Sequence, residues 1–200
     1  MIFLNTPTPP AELRQMTVET FGAGVQYYEP ADWDPAQAYP FLRRFGELFE
    51  CRYRLSGVYR GYEFALGFPL GIFTSERNRR IHRYGFRGHI LSIQNLAVPA
   101  QPVYACTGFF LRPQRGEFTV KTRLNVVTAY SNAALSDRER QTLQAVVDWV
   151  DMELAGLIAG QYILWICSGT VHICFYKPEL TPFFTEIERI RNALDQGPLR

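Results

Sequence analysis

Two patterns in the chain predict an α+β domain, an antiparallel β-sheet with an N-terminal helical segment and a C-terminal helix–hairpin–helix packed on one face. The first is a change of apolar period from helical to two at about residue 51. The second is the order helix, hairpin, helix after residue 130, with a cap or turn residue at each junction. Two hundred residues, 47% of them apolar, fit one domain with a core of its own. The expected partition is 1–50 helical and loop-like, 51–130 a β block, and 131–200 the helix–hairpin–helix.

The elements follow in order. "PPAELRQMTVETF", 9–21, reads as a short helix ended by the Gly22–Gly24 pair. "DPAQAYPFLRRFGELF", 34–49, reads as a second helical stretch, capped by Asp34, opened by Pro35 and kinked at Pro40. In "CRYRLSGVYRGYEFALGF", 51–68, one register places Tyr53, Leu55, Tyr59, Tyr62, Phe64, Leu66 and Phe68 on one face. That is a half-buried hairpin turning at Arg60–Gly61, with Ser56–Gly57 as the alternative turn. Further strands are expected over 86–96 and 103–111, with one long strand over 117–130.

Ser136 then caps the clearest helix, and Glu139 completes a capping box. Leu143, Val146, Val147, Val150, Leu154, Leu157 and Ile158 form its apolar stripe, widened by Ala145, Trp149 and Met152. An arc that wide predicts cover on two sides, and Gly160 is the expected stop. In "QYILWICSGTVHICFYK", 161–177, a turn at Ser168–Gly169 pairs Ile166 with Val171, Leu164 with Ile173 and Tyr162 with Phe175. The last helix starts at Thr181–Pro182, buries Phe183, Ile187, Ile190 and Leu194, and stops near Gly197–Pro198.

"GVYRGYEFALG", "FRGHILSI", "EFTVKT", the long helix and "WICSGTVHICFYKP" occur in that order over about 50–180. The arrangement resembles an uncharacterised bacterial domain family with a glycine-marked hairpin, an FRG-like strand and a C-terminal helix-plus-hairpin. The resemblance implies a fold and no activity, catalytic residue or cofactor.

Composition narrows the function. Net charge is +2, so the balance as a whole does not point to nucleic acid. The run "LIAGQYILWIC", 157–167, is too short to cross a bilayer of about 30 Å as a helix, and the start lacks the basic region of a signal peptide. A cytoplasmic protein without a membrane span is expected. Cys51, Cys106, Cys167 and Cys174 have no CxxC spacing and read as free thiols in strands.

No metal site is expected. Cys167 and Cys174 lie too far apart along one hairpin, about 13 Å, for two zinc–sulfur bonds of about 2.3 Å. His172 instead packs across from Trp165. No cofactor loop appears, because the Gly22–Gly24 pair follows a helix, where a dinucleotide fingerprint must follow a strand. There is no G-x-S-x-G, and no catalytic residue is assigned. Asp148 and Asp151 fall on the polar side of their helix and read as solvated.

One stretch stands out. "SERNRRIHRYGFRGH", 75–89, carries five arginines and two histidines against Glu76 alone. Eight of the nineteen arginines lie within 52–87, where the only acids are Glu63 and Glu76. The segment reads as a loop between strands. Folded over the polar face of the first hairpin, it would bring Arg52, Arg54, Arg77, Arg79, Arg80, Arg83 and Arg87 around one depression, with His82 and His89 beside them. Guanidinium groups there would hold a carboxylate, a phosphate or an acidic segment. The preferred reading is therefore a non-enzymatic binding module for an acidic protein or small anionic ligand. One alternative is a hydrolase or transferase with His82 or His89 as acid–base group and arginines as clamps. The other is a structural subunit that self-associates as a homo-oligomer through an apolar patch.

Overall fold

The computed structural model describes residues 10–29, 39, 46–77, 80–94, 96–99, 102–106, 117–121, 126–154, 162–176 and 183–197. Helix α1 is Pro10–Phe21, α2 is Asp137–Glu153 and α3 is Phe183–Gln196. The strands are β1 Val25–Tyr28, β2 Gly46–Tyr59, β3 Tyr62–Arg77, β4 Arg80–Ile93, β5 Val103–Cys106, β6 Glu117–Lys121, β7 Val126–Ser131, β8 Tyr162–Cys167 and β9 Thr170–Tyr176. They form one antiparallel sheet in the order β1-β2-β3-β4-β9-β8-β5-β7-β6. The α+β class holds.

Both tight turns fall where turn chemistry puts them. Arg60–Gly61 and Ser168–Gly169 each have two residues at positive φ, the primed geometry that matches strand twist. The β8–β9 register pairs Ile166 with Val171, Leu164 with Ile173 and Tyr162 with Phe175, as the alternation requires. The row continues through Leu91 and Leu66 on one side and Ala105 on the other. These side chains belong to one buried cluster with Leu143, Val147, Val150, Ile187, Ile190 and Leu194 of the helices. Each such side chain contributes about 1.5–3 kcal/mol by leaving water. The helices are also tied together by polar contacts. Trp149 Nε1 donates to the Ala193 carbonyl at 3.0 Å, joining α2 to α3. Tyr59 Oη and Arg60 Nε both donate to Asp195 Oδ1, at 3.1 Å each, joining the first turn to α3.

The structure corrects five expectations. Residues 46–49, assigned to a kinked helix, open β2, while 34–38 and 40–45 lie outside the described residues. The 117–130 strand is two strands, β6 and β7, paired to each other with Val120 opposite Val127. The pattern Thr-Arg-Leu-Asn between them carries no run of β-branched residues to sustain one strand. Asp151 is buried rather than solvated, because α2 is covered on a second side. Residues 75–77 and 80–89 are strand rather than loop, since β3 and β4 pair residue by residue through Ser75 opposite His82 to Arg77 opposite Arg80. Alternation of Phe73, Ser75 and Arg77 against Tyr84, His82 and Arg80 carries the strand period through a polar stretch that composition alone marks as loop. Helix α2 ends at Glu153, with Leu154 as its C-cap donating to the Val150 carbonyl, short of the expected stop at Gly160. The Thr181–Pro182 start and residues 107–111 lie outside the described residues.

At one place the sheet tolerates no side chain. Gly57 faces the α1–β1 connection, and a Cβ there would meet the Val25 Cα at 2.7 Å and press on the Gly24 carbonyl closer still. All of these are backbone atoms, which cannot swing aside. Gly57→Ala is therefore expected to lower stability by about 1–3 kcal/mol in chemical denaturation, whereas a loss under half of that would show that the β1–β2 edge yields freely.

Candidate functional site

A buried polar cluster joins the sheet to the C-terminal helix. It is built from Tyr53 on β2, His89 on β4 and Glu186 in the first turn of α3. Their relative exposures are 8%, 1% and 4%, so water contributes little to solvating any of them. Tyr53 Oη lies 2.9 Å from His89 Nε2 and 2.9 Å from Glu186 Oε2. His89 Nε2 lies 2.8 Å from the same Glu186 Oε2.

Three heavy atoms in mutual contact admit few proton arrangements. Burial, with the Glu186 carboxylate beside it, holds the Tyr53 hydroxyl well above its ordinary range. Tyr53 therefore keeps its proton and donates it to Glu186 Oε2. His89 Nε2–H then donates to Glu186 and to the lone pair of Tyr53 Oη. The carboxylate receives two donors, which offsets the cost of burying it.

Aromatic rings enclose the cluster. His89 stands edge-on to Phe68 at 4.7 Å and stacks on Phe175 at 5.2 Å. Tyr53 stacks on Phe68 at 5.7 Å and meets Phe183 edge-on at 4.9 Å. The position of Tyr53 comes from a bulge. Cys51 pairs with Pro69 and Arg54 with Gly67, so Arg52 and Tyr53 both stand opposite Phe68. Tyr53 takes the core side of that ring. Arg52 is exposed, with its guanidinium 5.7 Å from the ring centroid.

The other face of the sheet carries a second row. Ser92, His172, Trp165 and Tyr104 are direct cross-strand neighbours. Tyr104 stacks on Trp165 at 5.8 Å and Trp165 on His172 at 5.3 Å, as the spacing predicted for the Trp165–His172 pair. Ser92 Oγ and His172 Nδ1 are 2.8 Å apart. Burial lowers the His172 pKa to about 4, so this imidazole is neutral at pH 7. Cys51 and Cys174 are buried thiols, Cys167 is a half-buried one, and burial pushes the Cys174 thiol upward.

The sequence-selected residues fall in different settings. His89 belongs to the buried cluster. Arg54 is half-buried against the Tyr28 ring at 5.6 Å. Arg83 is exposed and has no acid or ring partner among the described residues. Arg77, Arg80, His82 and Arg87 have backbone positions on the β3–β4 ladder, and Arg79 lies outside the described residues.

The described backbone positions of these arginines are spread along the strands. Arg54 pairs with Gly67, whereas Arg80 pairs with Arg77, ten residues further along β3, or about 33 Å. A segment committed to ladder pairing cannot fold back over the hairpin that it extends. Of the two histidines in the enzyme reading, His89 lies within hydrogen-bond reach of two titratable groups, Tyr53 and Glu186, at 1% exposure, and the His82 side chain lies outside the described residues.

Glu186 and Tyr53 were missed from the sequence. Glu186 had left a signal, because it lies between Phe183 and Ile190 on the apolar stripe of α3. A carboxylate on such a stripe is buried and must have a partner. Tyr53 gave no comparable sign, since its setting depends on a bulge.

Tyr53→Phe keeps the ring stacks and removes one donor from Glu186. It is expected to cost about 1–3 kcal/mol in denaturant unfolding, and a change below measurement error would mean that the hydroxyl is not engaged. His172 adds a pH dependence. Its pKa is about 4 when folded and 6.5 as an ordinary histidine, so the unfolded chain binds the proton first. Its contribution is whole above pH ~6.5, declines between ~6.5 and ~4, and falls no further below that. His172→Phe should remove that part of the slope, as read from melting temperatures across the window, and an unchanged slope would place the ring in water.

No family model matches the chain, and no curated protein matches it. Among solved structures it is similar to the crystal structure of the mycobacterial trehalose monomycolate transport factor A, TtfA. The identity is 11% and the TM-score 0.39, with 91% of this chain and 94% of that one covered.

Proposed function

We propose that the protein is a non-enzymatic binding module whose arginine-bearing β3–β4 hairpin contacts an acidic protein segment. The observation that carries this reading is the unbroken β3–β4 ladder from Leu70 opposite Arg87 to Arg77 opposite Arg80. It sets Arg77, Arg80, Arg83 and Arg87 on two paired strands, with Glu76 as the one acid of the sequence between 70 and 87.

A paired ribbon differs from a free loop in what binding costs. Its backbone is already ordered, so an approaching carboxylate does not have to offset the immobilisation of the chain. Arg83 is exposed and unmatched by an acid among the described residues, so no internal ion pair has to break before it is used. Arg52, held over Phe68, adds a pre-oriented cation at the base of the ribbon. His89 and His172 are engaged by Glu186 and Ser92, so neither is offered to this surface.

The test changes Arg77, Arg79, Arg80 and Arg83 together to Ser. A fluorescent Asp/Glu-rich peptide serves as probe, read by anisotropy at low and at physiological ionic strength. The parent is expected to bind with a salt-weakened Kd, and the variant at least about tenfold more weakly with its melting temperature unchanged. Equal binding by both proteins overturns the reading. A mixed-sequence DNA duplex that binds as tightly as the peptide would overturn the assignment to an acidic protein.

A further inference from the structure

A cavity of about 270 Å³ opens between the β6–β7 hairpin and the first turns of α2, away from the arginine hairpin. In the strand order, β7 and β4 are separated by β5, β8 and β9, a spacing of about 19 Å at ~4.8 Å per strand. We propose that this cavity binds the carboxylate of a small organic acid, with Arg140 as its anchor.

Arg140 is exposed at the mouth of the cavity, yet its guanidinium is held from two directions. Its Nε donates to the Leu135 carbonyl at 3.3 Å, and its guanidinium lies 5.3 Å from the centre of the Phe118 ring. These contacts use Nε and one face of the plane. Both Nη nitrogens remain, and no acid pairs with Arg140 among the described residues. The acid one residue before it, Glu139, is engaged elsewhere. Its Oε2 accepts the Ser136 backbone N–H and hydroxyl, each at 2.8 Å, as the capping box demands.

The opposite wall supplies a hydroxyl. Ser131 is buried at the end of β7, and its Oγ accepts a long bond, 3.4 Å, from Ala133 N. That bond uses a lone pair and leaves the hydroxyl proton to donate. The remaining lining is apolar along Ala133, Ala134 and Leu135, with Asn132 at the exposed edge.

These parts choose a ligand class. A guanidinium whose Nε is occupied still offers its two Nη groups end-on, the fork that matches the two oxygens of one carboxylate. A single cation balances a monoanion and leaves a phosphate dianion under-compensated. The volume lies just below the usual range of about 300–1,000 Å³, which limits the occupant to a small molecule with a short aliphatic or aromatic body.

The experiment uses the full chain and ¹H–¹⁵N spectra, with benzoate as probe, benzamide as its neutral counterpart and inorganic phosphate as the competing anion. Benzoate is expected to give saturable shifts over 131–135 and at Arg140 Nε, while benzamide gives none. Arg140→Lys, which keeps the charge and loses the fork, should weaken benzoate at least about tenfold. Ser131→Ala, a milder change, should weaken it by a smaller factor of about three to ten, and it provides the test should the Arg140 variant misfold. Absence of saturable shifts, benzamide binding as benzoate does, or full retention by both variants overturns the site. Phosphate displacing benzoate at lower concentration overturns the carboxylate assignment. Loss of peptide binding at the arginine hairpin has no bearing on this result, because the two surfaces share no residue.

Discussion

The junction of sheet and C-terminal helix depends on placing a carboxylate where water cannot solvate it. Glu186 enters the core in the first turn of α3, and burying it alone would cost several kcal/mol. The cost is met by donors from two different strands, the Tyr53 hydroxyl and the His89 imidazole. Neither donor reaches Glu186 unless the β2 bulge and the β3–β4 register are both correct. Apolar contacts of α3 would tolerate sliding by a turn, because Ile187, Ile190 and Leu194 are interchangeable in chemistry. The polar contact would not. The hydrophobic face thus supplies the bulk of the attraction, while the Tyr53–His89–Glu186 cluster selects one docking among several of similar energy.

That constraint reaches both faces of the sheet. The bulge that turns Tyr53 inward also leaves Arg52 on the other side of the residues facing Phe68, so one irregularity supplies both an internal donor and an exposed cation. Further along the same strands, a ladder secured by the core continues into the polar stretch that ends at Arg77 and Arg80. The arginine ribbon is ordered because its base is anchored. A loop of the same composition would have to lose its freedom each time it bound.

Much of the framework was legible because side-chain alternation has an unambiguous period. The β8–β9 pairing, the Arg60–Gly61 turn and the Ser136 capping box all follow from local chemistry that no distant contact reverses. The failures have a common cause. Residues 75–89 are polar enough to read as loop, yet strand pairing requires backbone hydrogen bonds and alternation, not apolar side chains. Asp151 read as solvated because helix periodicity tells which face is polar and not how much of that face a neighbour covers. Residues 117–130 read as one strand because a hairpin with a short connection preserves alternation on both arms. The candidate site was half legible. His89 was singled out for the wrong reason, its nearness in sequence to the arginines, while Glu186 announced itself by sitting on an apolar stripe.

The two histidines of the described core show how burial and partners lead the same side chain to different roles. His172 gains a serine hydroxyl and ring stacking but no charge, so desolvation dominates and the imidazole stays neutral. His89 is more deeply buried, yet it faces a carboxylate, and its Nε2–H is committed to Glu186 and Tyr53. An imidazole whose proton is already shared between two fixed oxygens would have to break those contacts before moving it to a substrate. The same reasoning separates these groups from the arginines. Tyr53, His89 and Glu186 are matched to one another and hold the fold's shape, whereas Arg83 and the Nη nitrogens of Arg140 remain without an acid among the described residues. Donors that folding has not consumed are the ones free to recognise something else, and here one lies on an interior strand and the other beside the β6–β7 edge of the sheet.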